Sequence, residues 1–166
     1  MKRKILFLLL VLCSNFLFSQ DRKDSLSVKT NREFVLLTGV NMQKDSWFAE
    51  VGIANYIEKT TGYHPFSATY FVSTELNAFT ENKCVIGPKV GAWASGGAGA
   101  ISIGANVIYY TDFHNFTLKF RPEIGVGIRR ARIVYGYNLS LINKNFEGIS
   151  NHVIGINYLI RVHKKN

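Results

Sequence analysis

Three residues near the C-terminus have the types that a hydrolytic enzyme uses. In "FEGISNH", residues 146–152, the candidates are Glu147, Ser150 and His152. A serine nucleophile needs a histidine to accept its proton and a carboxylate to orient that histidine. Asp112 and His114 form a second, shorter candidate pair. Because these residue types are common in loops, we expect no catalysis from either group.

The histidines and cysteines do not have the spacing of a metal site. His64, His114, His152 and His163 are scattered along the chain, and Cys84 is the only cysteine after residue 19. Zinc ligands recur at short, regular intervals. The glycine pairs also lack the context of a phosphate-binding loop or a dinucleotide fingerprint. We therefore expect no metal and no cofactor.

A third set of residues that could carry a function is charged and alternates with apolar residues. In "FTLKFRPEIGVGI", residues 116–128, the charged residues Lys119, Arg121 and Glu123 are each separated by one apolar residue. Side chains alternate across a strand, so this segment has one wholly apolar face and one face of charges and glycines. What these charges can do depends on which face points inward.

The strands that must position the charges can be placed along most of the chain. Runs of about 9–14 alternating residues are separated by turn signals. They predict eight strands, at 33–42, 47–58, 66–79, 84–95, 100–111, 116–128, 131–142 and 152–163. The connections are too short for crossover helices, so neighbouring strands should pair antiparallel. The predicted fold class is all-β, an eight-stranded antiparallel up-and-down β-barrel.

The N-terminus predicts export. "MKRKILFLLLVLCSNFLFSQ" has a basic start and an apolar run too short to cross a bilayer as a helix. We place a signal peptide at 1–19, a flexible arm at 20–32, the barrel at 33–163 and a basic tail at 164–166. Without the signal peptide, 17 basic residues oppose 11 acidic ones, a net charge of about +6. An exported chain rarely meets nucleic acid, so the basic excess favours anionic lipid or an acidic partner.

The glycines indicate which face points inward. None of the 14 glycines falls on the apolar face, and five lie in turns. The nine in strands share the polar face: Gly39, Gly52, Gly87, Gly91, Gly104, Gly125, Gly127, Gly136 and Gly155. A water-facing surface has no steric reason to choose glycine, whereas the crowded lumen of a narrow barrel does. The charges should then point inward and the apolar face toward lipid, as in a transmembrane β-barrel.

The inward face should therefore hold a network of charges. Its predicted members are Glu50, Glu75, Lys89, Lys119, Arg121, Glu123, Arg132 and Arg161. An unpaired charge is costly in a narrow interior, so we expect salt bridges that plug the barrel. An ion path is the alternative for this lumen.

Two further features belong to the outward face. Pro88 and Pro122 fall in mid-strand and each removes a backbone donor, which indicates β-bulges or an incorrectly drawn strand pair. Aromatic residues near the strand ends predict girdles at the two membrane interfaces. They are Trp47, Phe48, Phe66, Tyr109, Phe113, Phe116 and Tyr135.

With this pattern, residues 33–163 resemble the small outer-membrane β-barrel proteins of Gram-negative bacteria, of the eight-stranded OmpA-transmembrane and OmpX type. The chain departs from them at its end, "INYLIRVHKKN", which lacks the terminal aromatic that the assembly machinery reads. The resemblance implies a monomer in the outer membrane with a structural or interaction role. It also implies outer-membrane lipids and the assembly machinery as partners.

By the family's topology both termini lie in the periplasm. A basic periplasmic rim would then include Arg129, Arg130, Lys164 and Lys165, facing phospholipid head groups or an acidic periplasmic partner. Two other functions stay open. One is a soluble, exported, lipocalin-like barrel that binds an apolar ligand, and the other is an outer-membrane lipid-modifying enzyme.

Overall fold

The computed structural model describes residues 29–44, 46–61, 64–77, 84–97, 100–144, 146 and 148–164. The predicted signal peptide and most of the predicted arm lie outside these residues. The strands are β1 (Lys29–Gln43), β2 (Ser46–Thr61), β3 (His64–Asn77), β4 (Val85–Gly96), β5 (Ile101–Thr111), β6 (Phe116–Ile128), β7 (Ala131–Tyr137), β8 (Leu139–Ile142) and β9 (His152–Lys164). Among the described residues, no helix is long and apolar enough to span a bilayer.

The strands form a closed antiparallel barrel. Each strand from β1 to β6 pairs with the next, β6 pairs with both β7 and β8, and β9 closes the sheet between β7 and β1. Since β7 and β8 are separated only by Asn138, they are two segments of one barrel strand. The predicted eight-stranded antiparallel barrel is confirmed.

The two ends of the barrel differ in their connections. One end carries the connections around residues 44–45, 78–84, 112–115 and 143–151, and we call it the loop end. The other end carries the short connections between β2 and β3, β4 and β5, and β6 and β7, with the start of β1 and the end of β9, and we call it the turn end. At this end β2 and β3 extend further than predicted, because Thr60 and Thr61 continue the ladder opposite Pro65 and His64.

The two strand prolines do not produce bulges. Pro88 pairs with Thr74 of β3, and the register between β4 and β5 is the same on either side of it, although the ladder has a gap there. Pro122 pairs with Ala105 of β5, and its gap lies on the other side, where Asn138 interrupts the neighbouring strand. The ladder tolerates each missing donor as a local gap, with no shift of register.

Apolar side chains cover the outside of the barrel. Large residues on every strand are about half exposed, for example Val72 at 60%, Ile124 at 58% and Ile156 at 52%. Of the predicted girdle residues, Phe48 does not face outward. It is fully buried inside the barrel, because it precedes the outward Ala49 and so shares the inward face of β2 with Glu50.

The inside of the barrel has three layers. An apolar layer near the turn end contains Val35, Leu37, Ala54, Tyr56, Phe71, Trp93 and Leu159. A second apolar layer near the loop end contains Phe48, Val85, Ile108, Tyr110 and Phe146, with Ile149 packed against it. The buried charged residues Glu50, Glu75, Lys89 and Arg121 lie between the two layers. The lumen is thus filled by side chains, as expected for eight strands.

Close contacts explain the inward glycines. A Cβ added to Gly136 would lie 2.9 Å from Cδ of Arg121, and one added to Gly52 would collide with Ser73 and the carbonyl of Val72. Gly136 thus leaves room for the long side chain of Arg121, whereas at Gly52 the neighbouring strand β3 itself leaves no space for a Cβ.

Candidate functional site

Glu75 is the centre of the buried charges. Its carboxylate accepts hydrogen bonds from Arg121 at 2.7 and 3.2 Å, from Lys89 Nζ at 2.8 Å and from Asn41 Nδ2 at 3.0 Å. The Tyr110 hydroxyl also donates to it. The side chains of Glu75, Lys89 and Arg121 have no exposed surface. The carboxylate is therefore surrounded by donors on several strands.

Lys89 joins Glu75 to a second buried carboxylate. Its Nζ lies 2.7 Å from Glu50. Glu50 also accepts hydrogen bonds from Ser73 at 2.7 Å, Asn41 at 2.9 Å and Asn157 at 3.0 Å. The two carboxylates thus share one lysine and one asparagine. Together with the contacts of Arg121 and Asn157, this network connects β1, β2, β3, β4, β6 and β9 across the lumen.

A separate ion pair lies closer to the turn end. Arg132 lies 2.8 Å from Glu123, which accepts a further hydrogen bond from Asn106. The guanidinium of Arg132 stacks 3.7 Å from the ring centre of Trp93. Its Nε and Nη1 have no hydrogen-bond acceptor among the described residues, so the aromatic face supplies the contact for that side.

Two predicted members of the network have different surroundings. Lys119 is buried and donates to Ser140 Oγ at 2.6 Å, with no carboxylate within ion-pair distance among the described residues. Arg161 lies at the turn end and not in the central lumen. Its side chain is 46% exposed and pairs with Glu33 at 2.5 Å, while the backbone of β9 stays paired with β1 as far as Lys164.

Glu33 forms a second carboxylate centre at the turn end. It is 1% exposed and accepts from Arg161 Nε at 3.1 Å and Asn31 Nδ2 at 2.9 Å, besides its pairs with Arg161 Nη2 and Arg130. The arginines around it are partly exposed, at 26% for Arg130 and 46% for Arg161. Water therefore reaches the cations of this centre but not its carboxylate.

The predicted basic rim is only partly described. Arg129 is exposed at the turn between β6 and β7, and Arg130 points toward Glu33. Lys164 is described only by its backbone, which pairs with Glu33, and Lys165 lies outside the described residues. The rim residues that the structure describes thus lie beside the Glu33 centre.

The candidate serine and histidine do not form a hydrogen-bonded side-chain pair. The His152 ring contacts the hydroxyl of Tyr135 at 2.5 Å, while its backbone amide donates to Ser150 Oγ at 3.3 Å. His114 contacts Asp112 through its amide, 3.0 Å from Oδ1, and through its ring at the carbonyl. Glu147 lies outside the described residues.

Part of the connection between β8 and β9 fills the loop end. Phe146 is 7% exposed and packs in the apolar layer with Phe48 and Tyr110. Ser150 fastens the segment, since its amide donates to Gln43 at 3.0 Å and its carbonyl accepts from Asn138 at 2.7 Å. The interruption at Asn138 thus has a use: its backbone amide and its Nδ2 donate to the carbonyls of Asn151 and Ser150, while its Oδ1 accepts a hydrogen bond from Arg121 of β6.

Sequence reasoning missed several of these contacts. Glu33, Asn41 and Tyr110 were not among the predicted network, although alternation along β1 and β5 places each on the inward face. Phe146 had no such signal because it lies outside any strand.

No family model, curated protein or solved structure matches this chain. Among the described residues, no group of three or more histidine, cysteine, aspartate or glutamate side chains is placed to hold a metal ion.

Proposed function

We propose that this chain is an integral outer-membrane β-barrel with a structural or interaction role, its lumen plugged by polar and charged residues. The observation that carries the proposal is the arrangement of the two faces. Large apolar residues lie half exposed around the whole barrel, while Glu75, Lys89 and Arg121 are buried in its interior. Exposed apolar patches on soluble monomers are usually limited to a few hundred Å².

The closed hydrogen-bond ladder of the barrel also favours a location in lipid. In lipid, every backbone donor and acceptor must be satisfied within the protein, which a closed barrel achieves. The outward residues of β6 include Phe116, Pro122, Ile124, Val126 and Ile128, and all of these side chains are apolar. This is the apolar band expected of a lipid-facing strand.

The interior supports a plug more than a channel or a ligand cavity. Two apolar layers and the Glu50–Lys89–Glu75–Arg121 network fill the lumen in succession. A lipocalin-like carrier needs an apolar cavity inside, whereas the centre of this barrel holds ion pairs. We propose no catalytic role for Ser150, His152 or His114.

Fractionation of cells that express the full chain tests this function. We expect the protein in the outer membrane, with a different gel mobility before and after boiling, because a closed barrel resists detergent until it is heated. Recovery in the soluble fraction would contradict the proposal and favour the carrier. Reproducible open-channel conductance in a planar bilayer would contradict the plug alone.

A further inference from the structure

A cleft of about 560 Å³ opens at the turn end beside the Glu33 centre. Its polar wall contains Arg129, Arg130 and Arg161, and Glu58 also lines it. Its other wall contains Ile128 and Tyr158, which lie on the outward face of β6 and β9 and are 71% and 53% exposed. The cleft therefore crosses the rim, from the charged mouth of the barrel to its apolar outside.

The arginines keep donors for a second anion. A guanidinium has five N–H donors in a fixed fork. Arg161 gives Nε and Nη2 to Glu33, and Arg130 gives Nη2. Glu33 thus holds two guanidiniums in place, while the Arg161 and Arg130 donors that it does not use remain at the cleft.

The charge of the cleft is not balanced. Three arginines stand against Glu58 in the wall and Glu33 beneath it, which leaves one positive charge among these residues. Guanidinium forks match the geometry of phosphate oxygens. A single phosphodiester would therefore balance the cleft.

The lining distinguishes an amphiphile from a soluble anion. A small phosphate would use the arginines only, and the exposed Ile128 and Tyr158 side chains would contribute nothing to it. A phospholipid places its phosphate at the membrane interface and its acyl chains along the adjoining apolar surface. Both walls of the cleft then have a partner.

From this geometry we infer that the cleft binds one anionic phospholipid. Arg129, Arg130 and Arg161 hold its phosphate, and Ile128 and Tyr158 contact the start of its acyl chains. The inference rests on the proposed membrane location and deepens it, because it assigns one lipid class to one site on the rim.

Native mass spectrometry of the full chain in detergent micelles tests the site, with phosphatidylglycerol as the probe. We expect phosphatidylglycerol to bind more tightly than phosphatidylcholine, and Arg129→Gln to weaken it about tenfold, since a hydrogen bond to a charged group is lost. The described partners of Glu33 are Arg130, Arg161 and Asn31, so a change at Arg129 leaves the hydrogen bonds of the carboxylate centre intact. Lys59→Gln is the matched control, because Lys59 is an exposed cation at the same end that does not line the cleft.

Glu58→Gln gives a second readout with the opposite sign. Removing this negative charge should tighten phosphatidylglycerol binding about twofold to threefold. Gel mobility of the unheated variants checks that each barrel is folded. Arg130→Gln can replace Arg129→Gln if the latter does not fold, because Arg161 still pairs with Glu33.

Equal weakening by Arg129→Gln and Lys59→Gln would overturn the inference, since binding would then follow the overall charge of the rim. Displacement of the lipid by glycerol 1-phosphate at equal concentration would also overturn it and assign the site to a soluble phosphate. These outcomes are distinct from failure of the proposed function. A protein found in the outer membrane without lipid preference loses the site only, whereas a protein found in the soluble fraction loses the membrane location.

Discussion

The carboxylates of Glu75 and Glu33 are both buried and both contact arginine, but their surroundings differ. Glu75 lies in mid-lumen, and its two cations, Lys89 and Arg121, have no exposed side-chain surface. Glu33 lies at the turn end, where Arg130 and Arg161 are partly exposed. The first centre is closed to solvent, and the second leaves cations available at the surface.

The comparison shows that the same type of ion pair, arginine with glutamate, has different properties at the two depths in the barrel. A buried pair contributes little over apolar packing, but losing one partner leaves an uncompensated charge and is costly. A pair whose cations reach the solvent is partly screened by water and salt, so those cations can change partners at small cost. The buried charges around Glu75 therefore suit a permanent plug, and the Glu33 centre at the turn end suits recognition of an anion.

The largest expected effect tests the closed centre. Glu75→Gln keeps the shape of the side chain but leaves Arg121 without an anionic partner and Lys89 with only Glu50. We expect a loss of about 3–5 kcal/mol in the free energy of unfolding. Urea unfolding of the protein folded in lipid vesicles, followed by gel mobility, measures it. A loss below about 1 kcal/mol would mean that water reaches the cluster.

The next effect tests the apolar layer at the loop end. Phe146→Ala removes a buried ring that packs with Phe48 and Tyr110, and we expect a loss of about 1–3 kcal/mol in the same unfolding experiment. This is less than for a phenylalanine in a strand, because the connection can open locally while the barrel stays folded. Hydrogen exchange should then rise at Ser150 and Asn151 before it rises in the strands. Exchange that rises everywhere together would contradict a separate loop layer.

The open centre should respond less to the loss of its carboxylate. We expect Glu33→Gln to cost about 1 kcal/mol or less, since Arg130 and Arg161 can turn toward water. The difference from the wild-type protein should shrink between low and high salt, whereas the Glu75→Gln difference should not. Unfolding curves at two salt concentrations measure both. If Glu33→Gln lowered the free energy of unfolding as much as Glu75→Gln does, and equally at both salt concentrations, the distinction between the two centres would be lost.

The smallest effect on stability is expected for Glu58→Gln. Glu58 lines the cleft and is partly exposed, so the free energy of unfolding should change by less than about 0.5 kcal/mol. Phosphatidylglycerol binding should nevertheless tighten. A change in stability without a change in lipid binding would place Glu58 in the barrel framework and not in the recognition site.

Much of the fold could be predicted from alternation alone. The period of two in "FTLKFRPEIGVGI" identifies β6 with the bounds that the structure has, and the glycines identify its inward face. The prediction was wrong at Phe48, which was assigned from its nearness to a strand end when its parity with Glu50 places it inward. The suggestion of bulges at Pro88 and Pro122 was also wrong, since a barrel ladder can lose a donor without a change of register.

The sequence by itself determined which side chains enter the lumen, because a strand sends alternate residues to opposite faces whatever its neighbours are. Only the tertiary structure decided which of them meet. Height and angle around the barrel depend on the register of every strand, so Glu75 meets Lys89 and Arg121 while Lys119, two residues before Arg121, meets Ser140. The pairing of Arg161 with Glu33 likewise requires the closure of β9 on β1, which joins two ends of the chain that no local pattern connects.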